Sequence, residues 1–496
     1  MALSPLDKIR VRKEARDAAR AVGRPRYRQA PEGSVPVGTA RRAPSSARTP
    51  GPVARLVNRW WTRLLQAVYA GSLSEQEARY EEGSAGRDYL WNTLGTAIWG
   101  CSFPVLTVIA TQLAGAEGAG MFSMAFVVGT LLMIAANFGV RNYQVSDIDE
   151  ASSFSSYQAH RWMTGILALV AGVLYCSLRS YDASMTTICL GVFVYKIVDG
   201  IADVYEGRLQ QADKLYLAGI SQALRSVAVI VAFAALLFVT RSLEVAAIGM
   251  GVIAVASLVL VSIPLTLFET DKSRRMDTRE VMRLFRQGTP LFAALFVFNL
   301  IESMPKFAME GTLPYENQLY FNALYFPAQG ILLTIGFIYK PQLVRLAGIW
   351  ANPRKRARFD LVVAAVMAVI VVLSLAVGVL MGTVGIPFMS FMYGLDFEQF
   401  RPLSYLIVAA GGVTAAIDFL YAIVTVLRRQ GDVMRLYLIS FAAAIVLPWA
   451  LVNLFGLTGA VVSYLVVMTL LLGLLIWQYT LIRRQIARDR DPFATM

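Results

Sequence analysis

From residue 91 onward the chain alternates long apolar stretches with short polar breaks. Twelve stretches cover roughly 91–113, 118–140, 160–178, 184–205, 215–239, 243–268, 288–308, 317–344, 360–382, 403–427, 433–453 and 457–482. Each is long enough, at ~1.5 Å per residue, to cross the ~30 Å of hydrocarbon in a bilayer as an α-helix. Pro104, Pro264, Pro290, Pro305, Pro327 and Pro448 fall inside them; spanning helices tolerate proline where neighbours satisfy the freed carbonyl. Pro387–Arg401 reads as a re-entrant loop or short surface helix on the outer side. The pattern before residue 90 is different. Val53, Leu56, Val57, Trp60, Trp61, Leu64, Leu65 and Val68 recur every three or four residues, with Arg55, Arg59 and Arg63 between them. That predicts a basic amphipathic helix with a tryptophan-bearing face. It suits anchoring on anionic lipid, or packing on the protein's own cytoplasmic side.

Composition sharpens this reading. Of 496 residues, 56% are hydrophobic and 16% charged, against ~25% charged in a soluble domain. An ordinary soluble enzyme is excluded. The net charge is +13, and its placement gives a topology. Put the N-terminus in the cytoplasm. All but six of the 46 lysines and arginines then fall in the first 90 residues, the inner loops with the span ends beside them, or the C-terminal tail. Arg179, Arg241 and Arg401 fall in outer loops, and Lys196, Arg225 and Lys306 inside spans. The positive-inside rule therefore supports twelve spans with both termini cytoplasmic. The expected division is a disordered basic tail (1–52), an amphipathic helix and linker (53–88), a first six-helix half (89–270), an inner linker (271–287), a second half (288–482) and a short tail (483–496). The segment from Gly118 and that from Glu316 pair Phe122 with Tyr320 and Ala125 with Ala323, a weak trace of a parallel repeat.

Ionisable side chains within a span cost at least ~2.5 kcal/mol each and normally face a cavity or a partner. The fourth span carries Lys196, Asp199, Asp203 and Glu206 at spacings that place all four on one helical face. The fifth carries Arg225, the seventh Glu302 and Lys306, and the tenth Asp418; Arg141 stands at the inner mouth of the second. Counting ~1.5 Å per residue, Lys196 lies about 13 Å and Arg225 about 15 Å from the inner surface, so packed neighbours bring them together at mid-depth. Arg141, Lys196, Arg225 and Lys306 are thus candidates to bind an anion, phosphate above all. Asp199, Asp203, Glu302 and Asp418 are candidate coupling or pairing carboxylates. The competing reading is internal neutralisation, Lys196 by Asp199 and Lys306 by Glu302.

Other chemistries find no support. No GxxxxGK[ST] loop or HExxH is present, and Cys101, Cys176 and Cys189 with His160 build no metal site. The cysteines read as buried free thiols and His160 as an interfacial side chain. Neither a catalytic residue nor a cofactor is expected, nor nucleic acid as a partner.

Several segments resemble the polysaccharide flippases of the multidrug/oligosaccharidyl-lipid/polysaccharide (MOP) exporter superfamily. They include AEGAGMFSMAFVVGTLLMIAANFGVRNYQVSDI, with Gly120–Met121–Phe122 and Phe138–Gly139–Val140–Arg141. Glu206–Gly207–Arg208–Leu209–Gln210 followed by Arg225 is similar to the family's fourth-to-fifth connection. Asn299, Pro305, Lys306 and Phe307, then FMYGLDF and FGLTGAVVSYLV, continue the likeness over residues 88–482. The resemblance implies an all-α polytopic fold like that of the multidrug exporters, with two six-helix lobes about a central cavity. It also implies transfer of an undecaprenyl-diphosphate-linked oligosaccharide across the cytoplasmic (inner) membrane by a monomeric transport unit, in contact with polysaccharide-assembly proteins. Arg141, Lys196, Arg225 and Lys306 would hold the pyrophosphate, and Arg225→Ala or Lys196→Ala would abolish export with expression intact. The long basic tail departs from the family's short N-terminus. A cation-coupled multidrug or metabolite antiporter, a membrane-bound polymerase or glycosyltransferase, and a scaffold for an envelope complex are the alternatives. The short outer loops disfavour the enzyme.

Overall fold

The computed structural model describes residues 73–147, 150–340, 356–427 and 430–488, with positions 343, 346, 349 and 350. The basic tail and the tryptophan-bearing segment up to residue 72 lie outside the described residues, as does the chain after residue 488.

Ten helical runs among the described residues are long and apolar enough to cross a membrane. In chain order the helices are α1 (Leu73–Asn137), α2 (Arg141–Ser146), α3 (Phe154–Leu178), α4 (Ala183–Gln211), α5 (Leu215–Thr240), α6 (Leu243–Ser257), α7 (Ile263–Glu269), α8 (Thr278–Met309), α9 (Glu316–Tyr339), α10 (Arg356–Leu380), α11 (Ile386–Tyr393), α12 (Arg401–Val426) and α13 (Gln430–Arg488).

Two of these are far longer than a bilayer needs, and each folds back on itself. In α1 the break is Gly115, at φ 81° and ψ 175°. The rings of Phe103 and Phe126 stack at 4.3 Å, although a straight helix would separate them by ~35 Å. In α13 the break is Gly456, at φ 58°. Beyond it the chain returns so closely that a Cβ on Gly459 would lie 1.9 Å from the Leu451 carbonyl oxygen. Both glycines sit in the short breaks between apolar stretches, where a positive φ costs a Cβ-free residue little.

Small residues let other helices approach. A Cβ on Gly95 would stand 2.3 Å from the Gly219 oxygen, and one on Gly191 2.3 Å from the Ala247 oxygen. In lipid, where hydrophobic transfer gives no drive, close backbone packing of this kind holds helices together.

Two expectations change. The Pro387–Arg401 stretch is not a re-entrant loop. A π-turn at Met381–Gly385 carries α10 straight into α11, whose first turn holds Pro387, so the eighth of the ten runs extends over Phe359–Tyr393. A second π-turn, Leu258–Ser262, joins α6 to α7 ahead of Pro264 in the same way; the widened turn absorbs the proline's missing donor. The linker 271–287 is also largely helical, because α8 already starts at Thr278.

Candidate functional site

The polar face of α4 is the centre of the first half. Asp199 accepts from Arg225 Nε at 2.7 Å and from Trp99 Nε1 at 3.0 Å. Arg225 Nη2 reaches Glu206 at 2.9 Å. One turn away, Asp203 takes Arg141 on one oxygen at 2.5 Å and Arg161 on the other at 3.0 Å. Arg141 also donates to Gln210 at 3.0 Å and stands 3.9 Å from Glu206. Lys196 Nζ lies 3.6 Å from Asp199. The i, i+3 and i+4 spacing on α4 makes this a single network, in which four cations face three carboxylates and one positive charge is left over.

Access to it is uneven. The side chains of Arg225, Lys196, Asp199, Glu206 and Arg161 are at most 5% exposed, whereas Arg141 is 31% and Asp203 16% exposed. The expectation of several free cations lining a cavity therefore changes. Arg141 alone among the four cations presents substantial surface, and Arg225 and Lys196 stand behind it, already paired.

Arg141 is set in place by the segment before it. Phe138 and Gly139 both take left-handed backbones, at φ 48° and 65°, ending α1 and turning the chain into α2. Arg161 closes that end. It donates to the carbonyls of Ala136, at 3.2 Å, and Asn137 while holding Asp203. Arg161 does not stand out in the sequence, because the apolar stretch begins only at residue 160 and places it at the inner edge of the span. The helix begins at Phe154, which carries Arg161 two turns inside.

The second half carries two further groups. Glu302 accepts from Tyr325 at 2.9 Å and Tyr464 at 3.2 Å, and those hydroxyls meet at 3.0 Å. Lys306, one turn on, makes no ion pair with a carboxylate among the described residues; its ammonium lies over the rings of Tyr325 and Phe321, at 5.2 and 5.7 Å. Expected pairing of Lys306 with Glu302 gives way because tyrosines from other helices take the carboxylate. Asp418 accepts from Tyr339 at 2.6 Å with Lys340 at 3.9 Å. No hydrogen bond or ion pair among the described residues joins Lys306, Glu302 or Asp418 to the α4 network.

The two halves of the chain touch along α3 and α8. Where α8 starts, Glu280 accepts from the Ser153 amide and from the hydroxyls of Ser153 and Ser156, at 2.7–2.9 Å. Phe138 stacks on Phe292 at 4.3 Å. His160 is not interfacial: it is fully buried, 4.2 Å from the Phe285 ring. Neither of its nitrogens has a hydrogen-bond partner among the described residues. Where α8 ends, Glu310 accepts from Tyr175 at 3.0 Å and from Tyr181, and pairs with Arg179 at 3.0 Å. Burial outweighs Arg179 there and holds the Glu310 carboxyl above the usual carboxylate range. Cys176 and Cys189 are buried and free, while Cys101 is exposed.

A polytopic bundle with a charge network buried between its spans is a membrane transport architecture, and comparison with known proteins agrees. The chain matches the family described as "Polysaccharide biosynthesis protein" over residues 85–343, just over half its length. It belongs to that family. Its fold is that of the MOP superfamily. An inward-facing multidrug resistance MATE family transporter superposes with a TM-score of 0.59 at 10% identity, covering 79% of this chain and 99% of that one. A MOP superfamily transporter from Pyrococcus furiosus, whose description notes a binding pocket of reversed polarity, gives 0.55 at 12% identity over 80% and 95%. A eukaryotic MATE transporter gives 0.51 at 16% identity over 79% and 95%. No curated protein matches by sequence. These three fold neighbours are described as transporters.

Proposed function

We propose that the protein is a flippase. In this reading it moves an undecaprenyl-diphosphate-linked oligosaccharide across the cytoplasmic membrane for cell-surface polysaccharide export. The twelve legs, counting the fold-backs at Gly115 and Gly456, form two six-helix lobes with cytoplasmic termini. The lipid tail stays in the bilayer and the polar head crosses between the lobes as they rock. The observation that carries this reading is the family match together with Arg141, an accessible guanidinium backed by a buried network of net positive charge. Arg141 meets the pyrophosphate first, and a bidentate fork suits that group. Arg225 and Lys196 raise the local potential from behind it, and Lys306 serves the second lobe. Asp203 keeps Arg141 oriented but leaves part of its surface free.

The test is reconstitution of the full chain in liposomes with a short-chain prenyl-diphosphate oligosaccharide, scored by access of an external glycosidase to the sugar. Wild type is expected to move the sugar between leaflets and Arg141→Ala is not. Equal rates in protein-containing and empty liposomes would overturn the reading.

One observation favours a second reading, a cation-coupled antiporter. Glu302, held by two tyrosine hydroxyls and without an ion pair to Lys306 among the described residues, is a carboxylate able to exchange a proton, with Asp418 on α12 as the other. Drug efflux that depends on pH or Na⁺ and is lost in Glu302→Gln would favour it.

A further inference from the structure

Lys196 is held in an unusual way. Its ammonium lies 4.6 Å from the centroid of Phe126, 4.9 Å from that of Trp99 and 5.2 Å from that of Tyr195. All three are within the ~6 Å reach of a cation–π contact. Asp199 is 3.6 Å away, beyond hydrogen-bond distance. Arg225 already neutralises that carboxylate at 2.7 Å. The rings, rather than the carboxylate, therefore fix where the ammonium sits.

The surroundings are built to keep it there. Trp99 and Phe126 come from the two legs of α1, and Tyr195 from α4. Trp99 donates to Asp199 at 3.0 Å, which orients both. Phe126 is backed by Phe103 at 4.3 Å. Gly129 makes room for the lysine stem, since a Cβ there would stand 3.0 Å from Lys196 Cγ. Three aromatic faces and one carboxylate around an ammonium are a recognition site for an organic cation, and here the cation is part of the chain.

We propose that Trp99, Phe126, Tyr195 and Asp199 form a binding site for a primary alkylammonium, which Lys196 occupies in cis. Lys196 is thereby a specificity-determining residue: with its own cation in place, the first half of the protein admits no organic monocation, and the charge left over for a solute contact is positive. The site is independent of what the protein carries.

The probe follows from the geometry. Truncating Lys196 to alanine removes three methylenes and the ammonium, which is n-propylammonium. Purified Lys196→Ala is expected to show a saturable rise in its thermal unfolding midpoint with n-propylammonium chloride. Neutral n-propanol should have no such effect, and wild type should not respond to either. Adding Trp99→Ala to Lys196→Ala should weaken the response by about tenfold, the order expected for loss of one strong cation–π face. If Lys196→Ala does not accumulate as folded protein, the readout becomes its recovery as a monodisperse species from cells grown with n-propylammonium but not with n-propanol. Equal effects of the amine and the alcohol, no response in Lys196→Ala, or an equal response in wild type would overturn the proposal. No substrate enters this measurement, so failure of the flippase reading leaves its outcome unchanged.

Discussion

Arg225 separates support of the network from contact with a solute. Arg225→Met keeps an unbranched, flexible stem and removes the guanidinium with its charge. Asp199 and Glu206, bound at 2.7 and 2.9 Å, then lose their main partner in a site where Arg225 is 1% exposed. At an effective dielectric near 20 each contact is worth about 6 kcal/mol before desolvation. Breaking a buried pair from one side costs about 3–5 kcal/mol net, because the orphaned carboxylate stays buried. The remaining neighbours are weaker: Lys196 at 3.6 Å from Asp199 and Arg141 at 3.9 Å from Glu206. Folded yield and thermal midpoint in detergent should therefore both fall, which replaces the sequence-based expectation of intact expression. Adding Asp199→Asn and Glu206→Gln removes the stranded charges and should restore much of the lost stability. Arg141→Ala should cost only about 1 kcal/mol or less, since Asp203 keeps Arg161 and Arg141 is partly in water. The reasoning is refuted if Arg225→Met unfolds at the same temperature as Arg141→Ala, or if the triple variant is no more stable than Arg225→Met alone.

Arg141→Ala should abolish export while leaving folded protein in the membrane, measured by surface polymer against immunoblot. Glu310 has a folded pKa raised by burial, so the native state binds the extra proton above the ordinary carboxyl value of ~4.3 and stability declines as pH rises through the folded value. Thermal midpoints across that interval should show this slope in wild type and lose it in Glu310→Gln. Gly120→Val places side-chain atoms where a Cβ alone would already lie 1.9 Å from the Tyr315 oxygen; it should prise apart the contact beside Glu310 and raise the reactivity of a cysteine put at Tyr181. Deleting residues 1–85 tests docking: full export after truncation would show the basic tail dispensable to transport.

Local features of the sequence were read most directly. Charges three and four apart on one helix had to share a face, so Lys196, Asp199, Asp203 and Glu206 were visible, and packing of neighbouring spans brought Arg225 to them. The fold-backs were visible as short breaks between apolar stretches at Gly115 and Gly456. What escaped depends on contacts between distant positions. Trp99 and Phe126 reach Lys196 only once α1 has doubled back. Tyr325 and Tyr464, from two other helices, take Glu302 from Lys306. Glu280 and Glu310 find the ends of α3 across the whole first half. Arg161 escaped for a simpler reason: apolar periodicity starts after the helix does, and a charge near a helix end reads as a loop residue.

The most direct test of the central claim is mass spectrometry of lipid extracts from cells depleted of this protein. Accumulation of an undecaprenyl-diphosphate oligosaccharide, with loss of surface polymer, is the predicted result and would identify the cargo. An unchanged lipid-linked pool with surface polymer intact would contradict the flippase account and move attention from Arg141 to Glu302 and Asp418.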